Sequence, residues 1–471
     1  MRAPDEAQQG WRSLFAGDNA RRAIVLAGAV ALHGFFSFIT NTTLPSIVAE
    51  LGGVAFYAWV ATVFGMGSII GAMLAPAVLA RLAPRRAYEL GLALFAAGCA
   101  LSATAPALGV VIVGRAVQGF SGGLLAAIAT SMIPVVFADT LRSRAVALVS
   151  SVWGPVALLG PFVGGVFAQL GLWRGAFWLA MPLLGALGLL ADRVLPVAAP
   201  QRTGAAAIFS AGQALRLALI AGSVLILSVA SVPGTLPAAL AGIGLTALCL
   251  GLALRLDRRA RLRVLLQGAF GFAKVVGACS TAMMLLVLGV GAGGFIPYVL
   301  SFALGAAPIV AGYIAALSSL AWSIAALASA GAATRRNRRI VAVAPFAQAL
   351  ALAGAGWSLS TGSLLGVAVA WTMFGASVGA SWPHLATRLI GNVPASERVF
   401  AGGFLTTIQI LAGTFGAALA GLVANLGGLG KSTAAADIAQ GGLLLFLGFA
   451  VVPLLAVPFA LRLLSLTRRE E

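Results

Sequence analysis

The feature that most constrains this sequence is a repeating one. Apolar runs of about 20 residues, the length an α-helix needs to cross a bilayer, follow one another with short polar breaks. They fall near 22–44, 54–80, 87–104, 107–137, 144–170, 175–195, 214–232, 236–254, 275–300, 307–331, 340–358, 364–387, 399–425 and 440–461, fourteen in all. In hydrocarbon each backbone N–H and C=O has to be satisfied within its own segment, so runs of this length form helices. The expected fold is an all-α polytopic membrane protein with fourteen transmembrane helices.

Composition agrees. Hydrophobic residues make up 61% of the chain and charged ones 9%, with a mean hydropathy of +1.03. A soluble domain needs far more polar surface than that. The 59 glycines fall largely inside the apolar runs, where small residues let helix backbones approach closely.

The net charge of +18 invites a nucleic-acid reading, but its distribution excludes one. With the N-terminus in the cytoplasm, 27 of the 30 Lys and Arg residues fall on the cytoplasmic side, from Arg2 to Arg469. Arg174 and Lys431 fall outside and Arg115 lies within a span. The opposite orientation reverses the count, so the positive-inside rule places both termini in the cytoplasm. The basic loops then face an anionic leaflet. The expected setting is a bacterial inner membrane, and the lipid bilayer is a partner where nucleic acid is not. No cleavable signal peptide is expected, because residues 1–20 are polar and the first apolar run lacks a small-residue cleavage site. Cys99, Cys249 and Cys279 sit singly in different spans, a pattern of apolar packing rather than of disulfide or metal chemistry. No metal or other cofactor is expected.

The runs group as six, two and six. A cytoplasmic segment, 1–21, precedes an N-terminal six-helix bundle, 22–195. A linker, 196–274, carries two inserted helices and a basic loop from Arg255 to Lys274. A C-terminal six-helix bundle spans 275–461, and 462–471 form a cytoplasmic tail. The two bundles echo each other: the loop after the second span of each is basic, Arg81, Arg85 and Arg86 in the first and Arg335, Arg336, Arg338 and Arg339 in the second. Parallel repeats around a central cavity suit alternating access. Gly430-Lys431-Ser432 resembles the end of a phosphate-binding loop, but the required glycine is Asn425 and no strand precedes it, so nucleotide binding is not expected.

Arg115 is the single basic residue in the interior of a span. A charge there costs roughly 2.5–3.5 kcal/mol on insertion scales, so it should face a hydrated cavity or a hydrogen-bonding partner. It opens the run Arg115-Ala-Val-Gln118-Gly119-Phe-Ser-Gly122-Gly123. The next span carries Trp153-Gly154-Pro155-Val-Ala-Leu-Leu-Gly160-Pro161-Phe-Val-Gly164-Gly165. In it the prolines remove backbone donors and bend the helix, and Gly160 and Gly164 form a small-residue face.

Together these two elements resemble the fourth- and fifth-helix motifs of the major facilitator superfamily, in its fourteen-helix drug:proton antiporter branch. Trp173-Arg174-Gly-Ala-Phe177 through Pro182, Ile296-Pro297-Tyr298, Leu304-Gly305 through Gly312, Gln409 to Gly416 and Asn41-Thr42-Thr43-Leu44-Pro45 are similar to further stretches of that branch. The resemblance implies two six-helix bundles plus an inserted pair, and a monomeric multidrug efflux antiporter driven by protons and moving small organic molecules.

The departures bear on mechanism. The family's helix 1 Asp is Phe36 here, Ala180 replaces an Asn, and the loop after the second span reads Pro76, Ala80 and Ala83 at the family's Gly, Asp and Gly positions. Each acidic residue lies in a loop or near a span end. His33 lies one helical turn before Phe36 and forms a polar stripe with Ser37 and Thr40. An imidazole titrating near pH ~6.5 can carry protons, so His33 and Arg115 are the proton-coupling candidates; substrate contact or packing are the alternatives at His33. His384 lies in the fourth helix of the second bundle, roughly opposite Arg115 by pseudo-symmetry. With Phe36, Ser37, Thr40, Asn41, Gln118, Trp153, Tyr298 and Gln409 it completes the candidate substrate cavity. A cavity with Arg115 and two His but no carboxylate favours neutral or anionic substrates. Two other functions remain open: facilitative or otherwise-coupled export of a neutral or anionic metabolite, and a non-transporting receptor. The spans hold no catalytic cluster, so an enzyme is not expected.

Overall fold

The structure is a computed structural model, and it describes residues 10–197, 210–260, 263–330, 334–394 and 397–467. The first nine residues, most of the polar stretch after the sixth span and the last four residues lie outside these. The described residues are helical with turns and no strand. The fourteen membrane helices are α1 (Gly17–Leu51), α2 (Trp59–Leu79), α3 (Pro84–Ala103), α4 (Leu108–Val136), α5 (Asp139–Gln169), α6 (Trp173–Val194) and α7 (Ala211–Ser231). They continue as α8 (Leu236–Arg259), α9 (Val275–Leu304), α10 (Pro308–Ser329), α11 (Thr334–Ser360), α12 (Leu364–Gly391), α13 (Arg398–Leu426) and α14 (Ala435–Leu466). Thirteen are long and apolar enough to cross a membrane by length and composition. The exception is α3, where Arg85, Arg86 and Glu89 occupy the first turns of a 20-residue helix.

Four of these helices are interrupted, and proline explains where. A proline ring meets the carbonyl four residues earlier and cannot donate to it. Helix α5 breaks after Ser151, four residues before Pro155; α6 breaks after Trp178, four before Pro182. Likewise α9 breaks after Gly293, four before Pro297, and α14 after Leu454, four before Pro458. An earlier break in α9, at Gly289, has no proline and falls in a run of glycines. Pro45, Pro76, Pro134 and Pro161 lie inside unbroken helical segments.

The chain forms two compact units. The first comprises Met1–Ser46 with Val63–Ser210, the second Ile47–Thr62 with Ala211–Glu471. The inserted pair α7 and α8 therefore groups with the second unit, and so does the connection between α1 and α2. That connection is held by specific bonds: Asn425 Nδ2 donates to Ala55 O at 2.8 Å and to Ser231 O at 3.0 Å. Tyr57 Oη donates to Gly294 O at 3.2 Å and Trp59 Nε1 to Ser228 O at 3.2 Å.

Within each unit, the second and fourth helices of the six meet backbone to backbone. In the first unit a Cβ on Gly119 would overlap the Phe64 carbonyl, and one on Gly123 that of Ser68; from the other side, Gly71 abuts the Phe120 carbonyl. In the second unit Gly375 and Gly379 of α12 abut the backbone of Ser318 and Trp322 of α10 in the same way. Both crossings use glycines spaced four apart, the small-residue face that brings membrane helices close. The first of these crossings places Phe64 beside Arg115.

Candidate functional site

The first unit contains a polar cluster buried among α1, α2, α3 and α4. Arg115 is 1% exposed, and its Nη1 donates to Gln118 Oε1 at 2.7 Å and to the Phe36 carbonyl of α1 at 3.4 Å. Gln118, also buried, donates from Nε2 to Ser102 Oγ of α3 at 3.2 Å, and Ser102 donates to Gly98 O at 3.0 Å. The chain of bonds runs from α1 through α4 into α3. Close approach is what allows it: a Cβ on Gly98 would come within 2.8 Å of both Gln118 Cγ and the Gly114 carbonyl. A buried guanidinium is tolerable only with such partners.

Phe64 of α2 joins Arg115 to His33. The guanidinium carbon lies 3.9 Å from the centroid of the Phe64 ring, and the imidazole stacks on that ring at 4.8 Å and 26°. The cationic contact uses the negative face of the aromatic ring. His33 Nδ1 points at Gly122, where a Cβ would come within 2.5 Å of it. Among the described residues His33 Nδ1 and Arg115 Nε are buried without a hydrogen-bond partner. One of these is a ring nitrogen and the other an N–H donor, so the cluster keeps two polar atoms that no described residue satisfies.

The other sequence candidates divide into those around this cluster and those elsewhere. Phe36 is fully buried with its ring against Phe95, 5.5 Å between centroids, so its contribution to the cluster is its carbonyl. Thr40 is buried and donates to that same carbonyl at 2.7 Å. Ser37 and Asn41 are half-buried on α1. Trp153 is 46% exposed and lays its ring edge across Gly34. In the α5 motif, Gly160 packs on Phe38, Gly164 on the Ile39 backbone and Thr42; Pro161 and Gly165 are buried, Pro155 is exposed, and Gly154 faces open space.

Three candidates lie in the second unit. Tyr298 is buried in an aromatic group with Tyr57 at 5.2 Å and Phe302 at 4.8 Å. Gln409 is half-buried on α13. His384 is 5% exposed, with Nε2 unpartnered among the described residues. The repeat corrects the register expected for it. Trp371 precedes Gly375 by four residues as Arg115 precedes Gly119, so Trp371 takes the place of Arg115, and His384 follows it thirteen residues later. Trp371 is 1% exposed and its Nε1 donates to Ala315 O at 2.9 Å. A neutral, satisfied indole stands where the first unit has a charge.

Phe64 and Ser102 belong to the cluster and were not among the sequence candidates. The signal for Phe64 was present: Gly67 and Gly71 in α2 and Gly119 and Gly123 in α4 share a spacing of four, which marks two faces that can cross.

The comparisons with known proteins converge on one family. The Major Facilitator Superfamily model matches residues 26–303. A protein of Mycobacterium tuberculosis named a probable multidrug-efflux transporter is 31% identical over 433 residues, covering 90% of this chain and 92% of that one. The fold is similar to the crystal structure of the POT family transporter PepTSo, with a TM-score of 0.65 at 14% identity over 94% of this chain and 98% of that one. A D-xylose-proton symporter gives a TM-score of 0.64 at 15% identity, covering 95% and 97%. The chain is a multi-pass membrane protein and belongs to the major facilitator superfamily of transporters.

Proposed function

We propose that this transporter exports small organic compounds, drug-like or amphipathic, across a bacterial inner membrane by alternating access, in exchange for protons. The observation that carries the efflux reading is the likeness to a probable multidrug-efflux transporter along nine-tenths of the chain. In this reading both termini are cytoplasmic, and two six-helix bundles with an inserted pair do the work of a monomer. The charge asymmetry of the loops supports that orientation.

Within the first unit, His33 is the proton carrier and Arg115 the group that orients the substrate. His33 suits the part because an imidazole can both take up and release a proton and its Nδ1 is buried without a hydrogen-bond partner among the described residues. Arg115 brings a fixed positive charge to the same aromatic ring, and the acidic residues lie in loops or near span ends. The substrate class that fits is neutral or anionic. Vesicles loaded with a matched pair of dyes, one cationic and one anionic on the same ring system, test this. Faster export of the anionic dye supports the assignment, and clear preference for the cation contradicts it.

A second reading has one specific observation in its favour. Phe36 stands where the resembling family has a carboxylate, and its ring is buried against Phe95. Export without proton coupling would give substrate flux indifferent to an imposed pH gradient.

A further inference from the structure

The inserted helix α8 ends in a built basic pocket, and we infer that this pocket binds the phosphate headgroup of an acidic phospholipid. The inference rests on the orientation proposed above, which puts the loop after α8 at the cytoplasmic leaflet. The pocket is a cavity of about 470 Å³ between the end of α8, the following loop and the start of α9, with Arg258, Arg263 and Lys274 on its wall. A second cavity of about 420 Å³ continues along α8 past Leu254 to Arg255 and Arg259. The two cavities share Leu254 and Arg258, and five basic side chains line them together.

Its walls are fixed from within the protein. Asp257 is 4% exposed; its carboxylate accepts from Val264 N at 2.7 Å and Leu265 N at 3.1 Å and faces Arg216 Nη1 at 3.5 Å. Asp257, the one acid lining these cavities among the described residues, is thus engaged inward. Leu265, Leu266 and Ala269 are buried beneath the loop. Phe270 holds a φ of +56°, a conformation a bulky residue rarely adopts, and it is pinned at both ends. Its N donates to Ser280 Oγ at 3.0 Å and its O accepts from Arg258 Nη2 at 3.1 Å. At Gly277 a Cβ would come within 3.0 Å of the Gly268 and Gly271 backbone. A non-glycine residue in the left-handed region persists only where its surroundings over-determine it, so the stretch around Phe270 is preorganised.

The shape adjoining these cavities selects a lipid over a free anion. Leu248, Leu252, Arg255 and Arg259 follow at four-, three- and four-residue steps, so they share one face of α8. Leu248 is 67% exposed and Leu252 45%, and Phe272 beside the pocket is 50% exposed. Basic groups at the mouth and apolar surface leading away from it match a headgroup with acyl chains attached. Basic pockets between membrane helices on the cytoplasmic side hold acidic lipid headgroups by the same charge attraction.

Native mass spectrometry of the detergent-solubilised full chain tests the assignment, and the result does not depend on orientation or on transport. The protein is titrated with phosphatidylglycerol, phosphatidylcholine or sn-glycerol 1-phosphate. Retention of phosphatidylglycerol over phosphatidylcholine is expected, falling about 25-fold in Arg263→Gln/Lys274→Gln, about fivefold per base removed. Arg258→Lys/Arg263→Lys should keep it, and Arg335→Gln/Arg336→Gln, in the basic first turn of α11, should leave it unchanged. Equal retention of the two lipids, equal loss in both double glutamine variants, or glycerol phosphate binding as tightly as the lipid would each overturn the proposal.

Discussion

Arg115 and Trp371 occupy the same register in α4 and α12, each four residues before the first glycine of a pair that lets its helix touch another backbone. Both are buried to 1% exposure, yet one is a cation bonded to Gln118 and the Phe36 carbonyl and the other an indole bonded to Ala315. The two units repeat an architecture and differ in its chemistry. Function is accordingly expected to be far more sensitive at Arg115 than at the matched position.

Arg115→Lys should not restore what Arg115→Met removes. A lysine has no planar fork with which to bond Gln118 and Phe36 O while lying on Phe64. Each variant should lose about 1.5–3 kcal/mol of charged hydrogen bonding, read as a lower unfolding temperature, and both should stop transport. Trp371→Phe, which gives up a neutral bond, should retain measurable transport. Dye efflux at matched expression checks this.

Glycine substitutions should sort by what lies opposite. Gly119→Ala or Gly375→Ala forces a methyl group into a facing carbonyl and should cost about 1–3 kcal/mol by overpacking. Gly109→Ala and Gly185→Ala meet open space and should behave as wild type. Thermal stability by fluorescence-detected size exclusion separates the two groups.

The ion pair at the end of α8 should behave as a buried one. Arg216 and Asp257 side chains are 5% and 6% exposed, so Asp257→Ala removes both a counter-charge and the acceptor for two loop amides. A loss of about 3–5 kcal/mol is expected. The double variant Arg216→Met/Asp257→Leu should recover part of it, and a double-mutant cycle on unfolding temperature measures how much.

Orientation is testable by thiol labelling. In a background with Cys249→Ala, Thr433→Cys should react with an impermeant maleimide in intact cells. Arg336→Cys should react only after the membrane is opened.

Much of this was legible in the sequence, and the reasons differ by feature. The spans followed from length and apolarity, whereas the weaker character of α3 emerged only in the structure, where the helix takes in Arg85, Arg86 and Glu89. The helix breaks at Ser151, Trp178, Gly293 and Leu454 follow from the prolines four residues later, a local steric rule. By contrast, Pro45 and Pro161 carry the same ring yet lie within unbroken helical segments, so a proline alone does not decide where a helix breaks. His33 and Arg115 stood out as polar residues in apolar runs. Their meeting on Phe64 did not, because it depends on which faces of α2 and α4 cross. The register of His384 is hidden for the same reason: it becomes apparent only when Gly375 and Gly379 are matched to Gly119 and Gly123.

Proton-coupled export through His33 makes a direct prediction. It is tested most directly in reconstituted vesicles by comparing wild type with His33→Ala, with and without an imposed pH gradient. Wild-type substrate flux should rise with the gradient, while His33→Ala should still bind substrate but no longer respond to the gradient. Coupling that is unchanged in His33→Ala would contradict the account.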